Sequence, residues 1–157
     1  MGASEPGPSA TVDTNLFVSG AISPTGAPRR LLRAWTEGRF RLVLSADHHA
    51  ELADVFARPK LARLFRIEPA DLAEILAGLA VVPRVTPTPT IPLTVRDPKD
   101  VKSVAAAMGG NADYLVTGDD DLLALAADPR LGKLRIITVD QFLEILGEPG
   151  AERRGDR

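Results

Sequence analysis

Six acidic residues stand at positions where a carboxylate can do chemistry: Asp13, Glu51, Asp97, Asp100, Asp119 and Asp121. Asp13 comes directly after Ala10-Thr11-Val12, small and β-branched residues that suit a short buried strand, and before Thr14, Asn15 and an apolar run. A carboxylate at the carboxyl end of a buried strand sits where open α/β sheets hold ligands. Asp13 is therefore either a helix N-cap or a ligand for something positive. Glu51 falls in the second turn of the helix expected after the second strand. Asp97 and Asp100 open the helix before the fourth strand, and Asp119 and Asp121 follow that strand. In a parallel sheet, strand ends and helix starts on the same edge share one mouth. Carboxylates gathered there repel one another and need cations to be ionised together. An oxygen-only donor set suits Mg²⁺ or Mn²⁺, ions that support phosphodiester hydrolysis by activating water and stabilising the leaving oxygen.

The elements that must position these acids are legible from pattern. Strands are expected at Ala10 to Val12, Phe40 to Leu44, Val81 to Val85, Tyr114 to Thr117 and Leu134 to Ile137. Between them lie helical segments. One starts at Pro28 after the turn Ser23-Pro24-Thr25-Gly26 and stops before Gly38, with Leu31, Leu32, Ala34 and Trp35 at helical spacing. A second is capped by Ser45 and runs to Ala57, with a short continuation through Leu61, Leu64 and Phe65 after Arg58-Pro59. Others run from Glu68-Pro69 through Leu79, and from Asp97-Pro98 through Met108 to the stop at Gly109-Gly110. A short one begins at Leu122, and Thr138 with Gln141 makes a capping box for the last, Val139 to Leu146. Thr86 to Thr90 is too rich in Pro for a central strand. Alternation of strand and helix predicts an α/β fold with a mainly parallel sheet and helices on both faces. Residues 1–9 read as a disordered tail, 10–147 as one domain and 148–157 as a C-terminal tail.

Composition removes several function classes. With 157 residues the chain is long enough for a real core. It has no Cys, which excludes disulfides and thiolate metal sites, and only two His, adjacent at His48 and His49, which excludes a His-rich zinc site. A net charge of −2 argues against general electrostatic coating of DNA. No apolar run is long enough for a membrane span and no signal-peptide pattern opens the chain, so a cytoplasmic location is expected.

The motifs VDTNLFVSG, G-x-P-x-x-L-L-x-A-W, LVLSADHHAELADVFARPKL, RDPKD, ADYLVTGDDDLL and ITVDQFL occur in that order between Thr11 and Leu146. In this combination the chain resembles PIN-domain ribonucleases, in the branch of toxin components of type II toxin–antitoxin systems. The resemblance implies a Rossmann-like sheet and a metal-dependent endoribonuclease that hydrolyses RNA with Mg²⁺ or Mn²⁺. By motif, Asp13, Glu51 and Asp119 match the family's acidic positions, Asp121 a frequent additional one, and Asn15 and Thr117 its polar supporting positions. Asp13, Asp100 and Asp119 would hold metal, and Glu51 would bind a second metal or orient the attacking water. RNA and a cognate antitoxin protein are the implied partners; a homodimer is left open and no membrane partner is expected. One departure stands out. Where the D-P-x-D segment commonly continues with Asp or Asn, this chain has Val101. Either Asp100 or Asp97 supplies that carboxylate, or the site has lost a ligand.

Simpler readings stand beside these. Asp97 to Asp100 also reads as N-cap through N3 of a helix, with Asp97 capping and Asp100 favoured by the positive helix start. Asp120 is expected in solvent, and His48 and His49 on a surface or interface. Arg29, Arg30, Arg33, Arg58, Lys60, Arg63 and Arg66 make solvated faces that would equally contact RNA phosphates. The alternative function is a weakly active or inactive PIN-like module that binds RNA or an antitoxin, motivated by Val101. A phosphotransferase with Asp13 as nucleophile would want a second Asp where Asn15 stands.

Overall fold

The computed structural model describes residues 7–23, 25–64, 66–88 and 98–147. Asp97, Pro24, Phe65, Pro89, Thr90, residues 1–6 of the expected tail 1–9 and the expected tail 148–157 lie outside the described residues, while Ser9 begins β1. In chain order the elements are β1 (Ser9–Val12), α1 (Thr14–Ile22), α2 (Ala27–Thr36), β2 (Arg41–Leu42), β3 (Leu44–Ser45) and α3 (Ala46–Phe56). There follow α4 (Pro59–Leu64), α5 (Pro69–Val81), β4 (Arg84–Val85), α6 (Pro98–Gly109), β5 (Tyr114–Val116), α7 (Asp120–Leu123), β6 (Arg135–Ile137) and α8 (Val139–Ile145).

A four-stranded sheet has the order β2-β1-β5-β6 and all its pairings are parallel. Side chains alternate across it. Val12, Val116 and Ile137 enter one core with Phe17, Trp35, Leu52, Phe56 and Phe142, while Leu115 and Ile136 enter a second with Val104, Ala107 and Leu122. Because β5 and β6 each feed both cores, helices must cover both faces. The fold is α/β with a mainly parallel sheet flanked by helices, as the alternation of patterns requires. Three aromatic edge contacts, Phe17–Trp35, Phe17–Phe56 and Phe40–Phe142, bind α1, α2, α3 and α8 into the first core.

The single strand expected at Phe40 to Leu44 is two. Val43 N–H still donates to Ala10 O at 2.9 Å, and Thr11 Oγ1 donates to Val43 O at 2.8 Å. Beyond Val43 the chain leaves β1, and Leu44–Ser45 pairs with Arg84–Val85 in a separate parallel ribbon. The strand expected at Val81 to Val85 is correspondingly shorter, because α5 continues through Val81. Short apolar runs do not distinguish helix from strand by periodicity. The Gly109-Gly110 stop is a packing requirement as well as a helix end: a Cβ on Gly109 would lie 2.0 Å from Thr86 O. At the last helix the capping box of Thr138 and Gln141 is present in both directions.

Candidate active site

The strand order sets where a ligand can enter. From β1 the chain crosses through α1 and α2 to β2 on one side, and it returns through α6 to β5 on the other. The connections therefore diverge between β1 and β5, and a crevice opens at the carboxyl ends of these two strands. Val12 and Val116 are register partners there, so Asp13 and Thr117 emerge side by side.

A chain of hydrogen bonds joins the residues at this edge. Asp13 is the N-cap of α1; its Oδ1 accepts from Asn15 N–H at 3.0 Å and its Oδ2 accepts from Thr117 Oγ1 at 2.9 Å. The two simple readings of Asp13 are thus compatible, since a carboxylate that caps a helix still has lone pairs for a cation. Thr117 is fully buried, and its hydroxyl oxygen accepts from Asp119 N–H at 3.0 Å. Asp119 in turn caps α7 by accepting from Asp121 N–H at 2.8 Å. The two strand ends carry the same device, an Asp that accepts from the amide two residues on and starts a helix.

Asp100 completes the edge from α6. Only 5% of it is exposed, in the first turn of that helix. Asp100, Asp119 and Asp121 each offer a carboxylate oxygen, and these atoms lie within 4.8 Å of one another. Asp121, expected in a supporting place, is thus one of three carboxylates that converge here. Asp13, Asn15, Glu51, Asp100 and Asp119 all line one cleft of about 540 Å³. Glu51 reaches it from the exposed side of α3. Val101 does not: it is half-buried and lines a neighbouring groove with Pro87, Thr88 and Ala105. Adjacent residues on a helix project about 100° apart, which is why Asp100 faces the acids and Val101 faces away.

The donor set fits a hard divalent cation. It consists of carboxylate oxygens, one nearly buried, close enough that their charges need a counterion. Sequence reasoning missed six further residues of the cleft wall, Thr14, Asp47, His48, Ala50, Lys102 and Ser103. Lys102 Nζ lies 3.8 Å from Asp47 at the rim.

Both histidines depart from the surface location expected of them. His49 is buried; its Nε2–H donates to Leu79 O at the end of α5, while Nδ1 accepts from Arg84 at 3.3 Å. It ties α3 to α5 and β4. His48 is buried beside the acids, with Nδ1 3.2 Å from Ser45 Oγ. Burial holds the His48 pKa below its usual value, against the opposing pull of Glu51, Asp47 and Asp13. Arg29 is also engaged, pairing with Asp71 at 2.6 Å to tie α2 to α5. Their cavity of about 200 Å³ contains none of the clustered acids.

Comparison with known proteins agrees with this geometry. The sequence profile of the family described as PIN domain matches residues 9–121, from β1 into α7. An uncharacterized protein of Methanocaldococcus jannaschii is 28% identical over 138 residues, which cover 85% of this chain and 88% of that protein. No solved structure shows a significant match.

Proposed function

The chain belongs to the PIN-domain family, and from that premise we propose that it is an endoribonuclease that hydrolyses RNA phosphodiester bonds with Mg²⁺ or Mn²⁺. PIN domains are usually nucleases that use divalent metals. The observation that carries the proposal is the approach of Asp100, Asp119 and Asp121 to within 4.8 Å at the edge where β1 and β5 diverge.

Asp100, Asp119 and Asp121 would hold the cation together with Asp13. A bound Mg²⁺ or Mn²⁺ supplies an activated water and offsets charge on the phosphate. The protein's own residues do the positioning. Thr117 fixes the Asp13 carboxylate through one hydroxyl and the Asp119 backbone through the same oxygen. Glu51, exposed across the cleft on α3, would accept a proton from the attacking water. Asn15 lines the cleft where an amide can contact the strand. A covalent enzyme intermediate is not needed.

The order of motifs supports the toxin of a toxin–antitoxin pair as the biological setting, with a cognate antitoxin as partner and the cytoplasm as location. Among the described residues no helix is long and apolar enough to cross a membrane. The weak-module alternative draws on Val101; the burial of Asp100 beside Asp119 and Asp121 supports a site that does not need a carboxylate at 101. The test is a cleavage assay on structured RNAs with Mg²⁺ or Mn²⁺ against a chelator, using Asp13→Asn as control. Asn is as good an N-cap as Asp, so this variant keeps α1 and loses a carboxylate. Cleavage that survives the chelator, or Asp13→Asn cleaving at the wild-type rate in limiting Mn²⁺, would overturn the proposal.

A further inference from the structure

His48 is a polar residue that the cleft contains and the reaction as described leaves unused. Its hydrogen bonds determine its chemical form. Ser45 Oγ accepts from His48 N–H at 3.3 Å, as the N-cap of α3, and lies 3.2 Å from His48 Nδ1. If Nδ1 carried the proton, the Ser45 oxygen would accept twice and its own proton would have no acceptor among the described residues. With the proton on Nε2, the Ser45 hydroxyl donates to Nδ1 and both the hydroxyl and Nδ1 are satisfied, which assigns the tautomer from the network. Burial disfavours the charged imidazolium. Nε2–H has no hydrogen-bond partner among the described residues, while the ring lines the cleft that holds Asp13, Glu51 and Asp100.

We infer that His48 is a neutral phosphate-contacting residue, donating from Nε2–H to a non-bridging oxygen of the RNA backbone bound in the acidic cleft. This rests on the ribonuclease reading. The cleft wall is dominated by carboxylates, which repel a phosphodiester wherever no cation intervenes. A donor there has two advantages over a second cation. It adds no positive charge to compete with the metal for the carboxylates, and it stays in place when the metal is absent. Because its Nδ1 is held by Ser45, the ring presents Nε2 at a fixed depth, so little ordering is left for the substrate to impose.

The test compares three variants of the full chain. His48→Gln keeps an N–H at the depth of Nε2. His48→Asn keeps a polar partner for Ser45 but is too short to reach, and His48→Leu removes both. Binding of a short fluorescein-labelled single-stranded RNA is followed by anisotropy in Ca²⁺, and Mn²⁺ affinity by calorimetry without RNA. The expected result is that Leu and Asn weaken RNA binding by about tenfold, the worth of one hydrogen bond to a charged group, that Gln stays near wild type, and that Mn²⁺ affinity is the same in all. The inference is overturned if Leu and Asn bind RNA like wild type, if Gln falls with them, if Mn²⁺ affinity falls so that the imidazole is a ligand, or if the wild type binds no RNA. Wild-type protein that binds RNA in this order of variants yet never cleaves it would sink the ribonuclease reading and leave the phosphate contact standing.

Discussion

Asp13 and Thr117 are 104 residues apart in the chain and meet through one hydrogen bond of 2.9 Å at the ends of adjacent strands. Thr117 Oγ1 also receives the Asp119 amide, so one buried hydroxyl sets the positions of carboxylates from both strands. Thr117→Val keeps the volume and removes that oxygen, leaving the Asp119 N–H without its partner. The expected loss is about 1–3 kcal/mol of stability, with weaker Mn²⁺ binding as Asp13 loses its anchor. Thr117→Ser should retain most of both. Urea unfolding and calorimetry on the two variants check this, and a Val variant with wild-type Mn²⁺ affinity would remove Thr117 from the site.

Mn²⁺ or Mg²⁺ should raise the melting temperature, because the cluster of Asp100, Asp119 and Asp121 exists only in the folded chain. At a free metal concentration one hundred times the dissociation constant the gain is about 2.7 kcal/mol. Asp119→Asn should lose most of the shift while melting, without metal, no lower than wild type, since one like charge has been removed from a crowded group. Thermal scans of both proteins in EDTA and in millimolar Mn²⁺ are sufficient. Superimposable curves for the wild type would argue against a preformed metal site.

These two expectations draw on parts of the structure that differ in how far pattern reveals them. Asp13 and Asp119 are legible because each follows a short β-branched or apolar strand, Asp13 at once and Asp119 three residues on, and strand ends on one edge of a parallel sheet converge. Asp100 and Val101 were not separable by spacing, because both fall in the first turn of α6 and only the helix phase decides which faces the cleft. For His48 and His49 the sequence predicts a surface or interface location, whereas both are buried. His49 meets Leu79 and Arg84, 30 and 35 residues away, which no local pattern displays. The break between β2 and β3 was hidden for a similar reason, since Phe40 to Leu44 is uniformly strand-like and the change of partner depends on where β4 lies.

Acid should loosen the other end of the central strands. Ser9 N–H donates to Asp113 Oδ2 at 3.0 Å, and Asp113 N–H donates back to Ser9 Oγ at 3.0 Å, joining the starts of β1 and β5. The Ser9 backbone donor, helped by Lys133, holds the Asp113 carboxyl below its ordinary value of 3.8. A lowered folded pKa means the unfolded chain binds the proton first. The contribution is therefore complete above pH 3.8 and is lost as pH falls through the folded value. Asp113→Ala should melt below wild type at pH 7, and the gap should close in strongly acidic buffer. A gap that is constant with pH would mean that the ionised form has no special part in the contact.

Val101→Asp tests which residue of the D-P-x-D segment belongs to the metal site. Two effects oppose each other at position 101. A carboxylate in the first turn of α6 is favoured by the helix dipole by about 0.3–1 kcal/mol. Val101 is half-buried against Pro87, Thr88 and Ala105, and burying a polar group there without a partner costs about 1–3 kcal/mol. Desolvation exceeds the dipole term, so the apo protein should melt somewhat lower. Mn²⁺ affinity should not change, because the new carboxylate points into the neighbouring groove rather than toward Asp119. Asp100→Asn should do the reverse, weakening Mn²⁺ binding with little change in the apo melting point, since it removes charge from a crowded cluster and keeps the volume. Calorimetric Mn²⁺ titrations and metal-free thermal scans on both variants separate the cases. If Val101→Asp binds Mn²⁺ more tightly at an unchanged apo melting point, the carboxylate at 101 reaches the cleft, and the native site is one ligand short.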